Sequence, residues 1–223
     1  MNNINDLKFK VSEIFYSIQG ESTLTGLPCV FIRLQGCHIR CQWCDTPYAL
    51  EIKNAGKEMT VGEIMPEIEK YNCKYLLLTG GEPLLQTNSL PFMEYLCDIG
   101  YTVALETSGS KSIEGIDPRV IKILDMKCPD SNAWKHNDYT NLDIITKNDE
   151  VKFVIGSRKD YDWAIRVIDE FDLNRRTAAI LFSPVSGQLD LKNLAEWILE
   201  DRLNVRFQIQ LHKLIWGADA VGV

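Results

Sequence analysis

The chain has 223 residues, 45% of them hydrophobic and 25% charged, with a formal net charge of -7. That composition suits a folded globular chain with a large core, and one domain, 1–223, accommodates it. The acidic balance excludes a nucleic-acid binder working through a basic face, and no apolar run approaches the roughly 20 residues of a membrane helix. The first ten residues are polar and mixed in charge, unlike a leader peptide, so a cytoplasmic protein with no membrane partner is expected.

Along the chain, the first strand-like run is 30–34, with Cys37 shortly after it. A helix-like run at 60–71 follows, and Thr60 ahead of Glu63 has the spacing of a capping box. The strand at 74–78 leads into Thr79-Gly80-Gly81-Glu82-Pro83 and a helix at 90–99. The strand at 102–105 runs into Glu106-Thr107-Ser108-Gly109, and the strand at 120–125 precedes Lys127-Cys128-Pro129. Then come a strand at 151–155, a helix at 158–169, a strand at 178–182 ahead of Ser183-Pro184, a helix at 191–201 and a strand at 205–209. Most of these strands are continuously apolar, as parallel strands covered on both faces are. Strand–helix alternation implies right-handed crossovers. The predicted fold is α/β: a partial, incomplete TIM-type barrel of six or seven mostly parallel strands, because a full barrel takes about 250 residues. Chemistry in such folds sits at the C-terminal strand ends, where the polar and glycine-rich segments above converge.

Seven cysteines in a reducing compartment do not make a disulfide framework. Three of them, Cys37, Cys41 and Cys44, are spaced C-x-x-x-C-x-x-C, which calls for a metal or redox explanation. Three thiolates on one short loop each bind one iron of a [4Fe-4S] cubane and leave the fourth iron open. An open iron can chelate the amino and carboxylate groups of S-adenosylmethionine (SAM). A structural zinc site wants four protein ligands, and no second cysteine pair is present; Cys29, Cys73, Cys97 and Cys128 stand alone. His38, within the loop, reads as a loop residue and not a fourth ligand.

The cysteine spacing, with Trp43 just before the last cysteine, resembles the radical SAM superfamily motif. The resemblance implies that Trp43 packs near the adenine. It also implies that Gly81 and Glu82 of the Gly-Gly-Glu segment meet the SAM amino group, and that Glu106 and Ser108 touch its ribose and carboxylate. Lys127 and Ser183 are weaker SAM contacts by the same resemblance; Lys127 reads equally as half of a surface salt bridge.

Further features narrow the resemblance: Ser17-Ile18-Gln19-Gly20-Glu21, Phe31-Ile32-Arg33-Leu34-Gln35-Gly36-Cys37, Cys44-Asp45-Thr46 and Gln208-Ile209-Gln210-Leu211-His212-Lys213. Together they resemble the 7-carboxy-7-deazaguanine synthases, from about Val11 to Lys213. That family converts 6-carboxy-5,6,7,8-tetrahydropterin to 7-carboxy-7-deazaguanine and ammonia, a step toward queuosine, with a [4Fe-4S] cluster, reusable SAM and Mg2+. The resemblance places Ile18, Gln19, Gly20, Arg33 and Thr79 at the substrate, and Thr46 as a ligand of Mg2+, a hard ion that prefers oxygen. Arg33 would pair with the substrate carboxylate through its planar fork. His212 and Lys213 face the pterin or pack the barrel's open side. The family also implies an electron donor such as flavodoxin or ferredoxin, and a homodimer. The tail after Lys213 receives no role. The rival enzyme reading is a glycyl-radical enzyme activating enzyme; the non-enzyme alternative is a zinc-stabilised module.

Overall fold

The computed structural model describes residues 3–53, 55–218 and 220–223. In chain order the elements are β1 (Lys8–Ile18), β2 (Pro28–Leu34), β3 (Lys57–Thr60), α1 (Val61–Glu69), β4 (Tyr75–Gly80), α2 (Ser89–Asp98), β5 (Thr102–Thr107) and β6 (Ile121–Met126). They continue with α3 (Asn141–Ile144), β7 (Glu150–Ile155), α4 (Arg158–Glu170), α5 (Leu173–Arg176), β8 (Ala179–Pro184), α6 (Leu191–Glu200), β9 (Arg206–Phe207) and α7 (Leu211–Trp216). The strands form one open sheet in the order β3-β1-β2-β4-β5-β6-β7-β8-β9. From β2 to β9 every neighbouring pair is parallel. These seven strands are the expected incomplete barrel. Two more, β1 and β3, extend it antiparallel at the β2 edge.

Alternation along each strand sorts its residues between two environments. Val30, Ile32 and Leu34 of β2, Leu76 and Leu78 of β4, and Val151, Phe153 and Ile155 of β7 join the helices in the main core. The opposite face points into the barrel and is layered. Phe15, Phe31, Leu77, Ala104 and Ile123 form an apolar plug at its base. Arg33, Thr79, Glu106, Asp125 and Lys152 have the same parity and line the cavity above that plug. Strand registry brings the upper layer level: Arg33 pairs with Thr79, and Asp125 with Lys152.

Strand β1 follows the same rule through an irregularity. Its register with β2 shifts between Val11 and Glu13. A bulge there reverses the strand's faces. Phe9, Val11 and then Ile14 pack on the helix side, whereas Phe15 turns inward. Helix α1 carries the expected capping box: Glu63 N donates to Thr60 Oγ1 at 3.3 Å, and Thr60 N donates to Glu63 Oε2 at 2.8 Å. Among the described residues no helix is long and apolar enough to cross a membrane.

Candidate active site

A cavity of about 590 Å3 opens at the C-terminal ends of the parallel strands. Cys37, Cys41 and Cys44 line one side of it, on the loop after β2. All three are free thiols. Burial raises the Cys37 thiol and pushes Cys41 up to about 11. His38 of the same loop is not in the lining; its buried Nδ1 has no partner among the described residues, and its ring stands edge-on to His136 at 6.2 Å. Three thiols facing a roomy cavity fit a three-cysteine iron–sulfur cluster with one open iron.

The Gly-Gly pair after β4 is required by the same loop. A Cβ on Gly81 would collide with the Gly36 carbonyl oxygen and lie 2.7 Å from Cys37 Cβ. Gly80, at φ +143°, would likewise meet the Leu34 backbone. Gly81 N donates to Leu34 O at 3.2 Å, and Glu82 N to Gly36 O at 2.9 Å. The pair is small because the cluster loop is laced against it. Gly20 has a comparable reason: a Cβ there would run into His212, and Leu211 N donates to Gly20 O at 3.0 Å.

Glu82 does not line the cavity. Its side chain is almost wholly buried and its carboxylate accepts from Leu84 N at 3.1 Å, Thr107 Oγ1 at 2.8 Å, Ser108 N at 2.9 Å and Ser108 Oγ. Those four donors satisfy the carboxylate, so Glu82 ties the end of β4 to the end of β5. Ser183 is also outside the lining, buried with its hydroxyl unpartnered among the described residues; Val185 and Ser186 line the cavity from that side. The remaining residues expected at the site, Ile18, Gln19, Gly20, Arg33, Trp43, Thr46, Thr79, Gly81, Glu106, Ser108 and Lys127, all line it.

On β2, Arg33 Nε donates to Glu13 Oε1 at 2.7 Å, and the Tyr48 hydroxyl donates to the same oxygen at 2.8 Å. Burial, with Glu13 beside it, pushes the Tyr48 phenol up to about 12, so it remains a donor. The Arg33 guanidinium lies 5.8 Å from the Phe15 ring centre and 6.0 Å from that of Tyr48. Its Nη edge has no protein partner among the described residues, leaving a fork for a carboxylate. The backbone of Gln19 is committed elsewhere: its N donates to Leu27 O and its O accepts from Gly26 N, each at 2.8 Å. Its side-chain oxygen accepts from Glu21 N at 3.2 Å, so the amide NH2 is what is left to meet a ligand.

Lys127 is an inward ion pair, not a surface one: Nζ lies 2.9 Å from Asp125 Oδ2, and both line the cavity. Burial opposes its charge, but Asp125 holds the ammonium raised. The floor also contains Lys152, which the sequence reading passed over. Its Nζ lies 2.8 Å from Glu21 Oε2 and 3.4 Å from Asp125 Oδ2, and it is ion-paired with Glu106. Thr79 Oγ1 donates to Glu106 Oε2 at 3.3 Å. A signal for these residues was present in the sequence: Lys152 and Asp125 are charges inside apolar strands, and Glu21 lies in the Ser17–Glu21 motif. His212, Lys213 and the tail residues Ala218, Ala220, Val221, Gly222 and Val223 complete the lining.

Over residues 31–197 the chain matches the radical SAM superfamily. It is 45% identical over 216 residues to the 7-carboxy-7-deazaguanine synthase of Chlorobaculum tepidum, covering 96% of each chain. It is 40% identical over 228 residues to the 7-carboxy-7-deazaguanine synthase of Koribacter versatilis, covering 96% of this chain and 100% of the relative. The crystal structure of QueE from Escherichia coli shares the fold, with a TM-score of 0.75 at 23% identity, covering 92% of this chain and 95% of that one.

Proposed function

We propose that this chain, which belongs to the radical SAM superfamily and within it to the 7-carboxy-7-deazaguanine synthases, converts 6-carboxy-5,6,7,8-tetrahydropterin to 7-carboxy-7-deazaguanine with release of ammonia. It is a radical SAM lyase of 7-deazapurine biosynthesis that uses a [4Fe-4S] cluster and SAM. One observation carries the substrate reading: the three thiols and Gln19, Gly20 and Arg33 line the same cavity, so that a cofactor and a small carboxylated ring would share it.

Cys37, Cys41 and Cys44 would hold the cluster, and Gly81, Ser108, Glu106, Lys127 and Trp43 would line the SAM side. When bound, cluster and SAM would supply the one-electron chemistry that removes hydrogen from carbon 6 of the pterin. The protein's own work is placement. The Nη edge of Arg33 takes the substrate carboxylate while Glu13 and Tyr48 keep its Nε side fixed. Thr46 Oγ, with Asp45 next to it in the lining, offers hard oxygen donors for Mg2+ beside that carboxylate. The Gln19 amide and Thr79 hydroxyl contact the ring, and Phe15 and Phe31 of the apolar plug keep water from below. The 1–223 chain acts as one domain in the cytoplasm and as a homodimer, and draws its electron from a flavodoxin or ferredoxin; these follow the family resemblance.

The test is an anaerobic assay of iron-replete protein with SAM, Mg2+, reductant and the carboxypterin, with mass detection of the deazaguanine acid. Product at the expected mass supports the reading. Protein with about four irons per chain that cleaves SAM but makes no product would overturn it.

A further inference from the structure

Five charged side chains meet on the cavity floor, three carboxylates and two ammoniums: Glu21 from the loop after β1, Glu106 from β5, Asp125 from β6, Lys127 just after β6, and Lys152 from β7. Lys152 is the hub. Its side chain is 4% exposed, yet it touches all three carboxylates. Glu21 adjoins the turn assigned to the pterin, and Glu106 stands on the SAM side. Gln210, ahead of α7, donates to Glu21 Oε1 at 2.9 Å from the other direction. One oxygen of Asp125 is buried without a hydrogen-bond partner among the described residues. A single ammonium therefore spans two walls that must keep a fixed separation during hydrogen transfer.

We propose that Lys152 is a positioning residue for the reaction, its one ammonium locking the substrate-side carboxylate Glu21 and the cofactor-side carboxylate Glu106 in their inward-facing geometry, with Asp125 as third anchor. This rests on the activity proposed above. Burial disfavours charge on Lys152, but Glu106, Glu21 and Asp125 together raise it well above the ordinary lysine range. Burial would likewise raise the Glu21 carboxyl; Lys152, aided by Gln210, brings it down to about 2. The other charged groups near Glu21 are His212, which favours its ionised form, Asp125, which it repels, and Asp45, whose carboxylate comes within 4.8 Å of it. Removing the ammonium takes from Glu21 and Asp125 a cation that both contact and leaves Lys127 as the remaining ammonium on the floor, so one of these two carboxyls must take up a proton at higher pH.

The experiment is the pH profile of kcat/KM for the carboxypterin in wild type, Lys152→Met and Lys152→Arg, each with its cluster reconstituted. SAM affinity is measured in parallel by equilibrium binding. Lys152→Met should move the acid limb up by about one pH unit or more, whereas Lys152→Arg, which keeps the charge, should leave the limb in place and raise KM. A merely structural lysine would lower activity evenly across pH, and an unmoved limb in Lys152→Met would overturn the proposal. A limb that moves equally in both variants would overturn it too. Should Lys152→Met not fold, the Lys152→Met, Glu21→Gln double variant carries less uncompensated charge, and its limb should lie above that of Glu21→Gln alone. Failure of both to fold would make Lys152 a stability residue and end the positioning claim. Wild type without product would instead strike the activity reading.

Discussion

Glu82 shows how one side chain can serve a cofactor site without touching the cofactor. A carboxylate has about four acceptor positions, and here Leu84, Thr107 and Ser108 fill them from two strand ends. Glu82→Gln replaces one acceptor oxygen with an NH2 group that must face existing donors. It should cost about 2–3 kcal/mol of stability, the scale of losing charge-assisted bonds to a buried group. SAM affinity should fall by about tenfold as Ser108 shifts. Denaturant unfolding and equilibrium SAM binding measure the two effects; a variant as stable as wild type with normal SAM affinity would refute the clamp. At this scale the sequence was legible wherever chemistry stood in a motif: the cysteines, Gly81, Arg33 and Thr46 all line the cavity. It was less legible for Glu82, because a motif residue does not reveal whether it contacts a ligand or its own backbone. Lys152 escaped because no motif surrounds Val151-Lys152-Phe153, although a lysine in an apolar strand must find carboxylates or leave the core.

Among the elements, the cluster loop and the end of β4 form one unit, because the Gly81 backbone occupies space that any side chain would take from Cys37. Gly81→Ala should push the loop away and cut iron and sulfide per chain by more than half after reconstitution. Gly62→Ala makes a good control. Its new Cβ would meet only ordinary contacts, 3.5 Å and beyond, inside α1, so it should bind a full cluster and gain about 0.5–1 kcal/mol of stability. Equal cluster content in the two variants would dismiss the close-approach argument. The seven parallel strands and four long helices were legible from continuous apolar runs and helical periodicity, with ends that differ from the structure by a few residues at most. Strand β1 was not, and the reason is physical. Lys8–Ile18 alternates polar and apolar residues, and its bulge reverses the parity midway, so neither a continuous run nor a clean two-residue period survives. That same bulge turns Phe15 inward, so the device that hid the strand also helps build the cavity wall. Strand β3 has only four residues and offers too short a pattern to read.

Across the whole molecule, buried charge makes acid stability a property of the cavity floor. The Glu21 carboxyl is held at about 2 against an ordinary value of 4.5, since Lys152 and Gln210 outweigh the effect of burial. Asp125 is lowered as well, Lys127 and Lys152 overcoming burial. A depressed carboxylate contributes stability that is complete above its unfolded value and is lost as pH falls through its folded value. Glu150 and Asp160 act with the opposite sign: burial raises both, so they take up protons earlier in the folded chain and support it on mild acidification. Unfolding temperature should therefore stay level or rise slightly from neutrality toward pH 5, then fall as the floor carboxylates begin to protonate. Loss of the cluster in acid would add to that fall, so the decisive quantity is the stability gap between wild type and Glu21→Gln. The gap should be constant above about pH 5 and close by on the order of 1 kcal/mol per pH unit from about 4.5 downward. A gap that stays the same from pH 3 to pH 7 would mean that Glu21 ionises as freely in the fold as in the unfolded chain, with the Lys152 ammonium doing no more than offset the effect of burial.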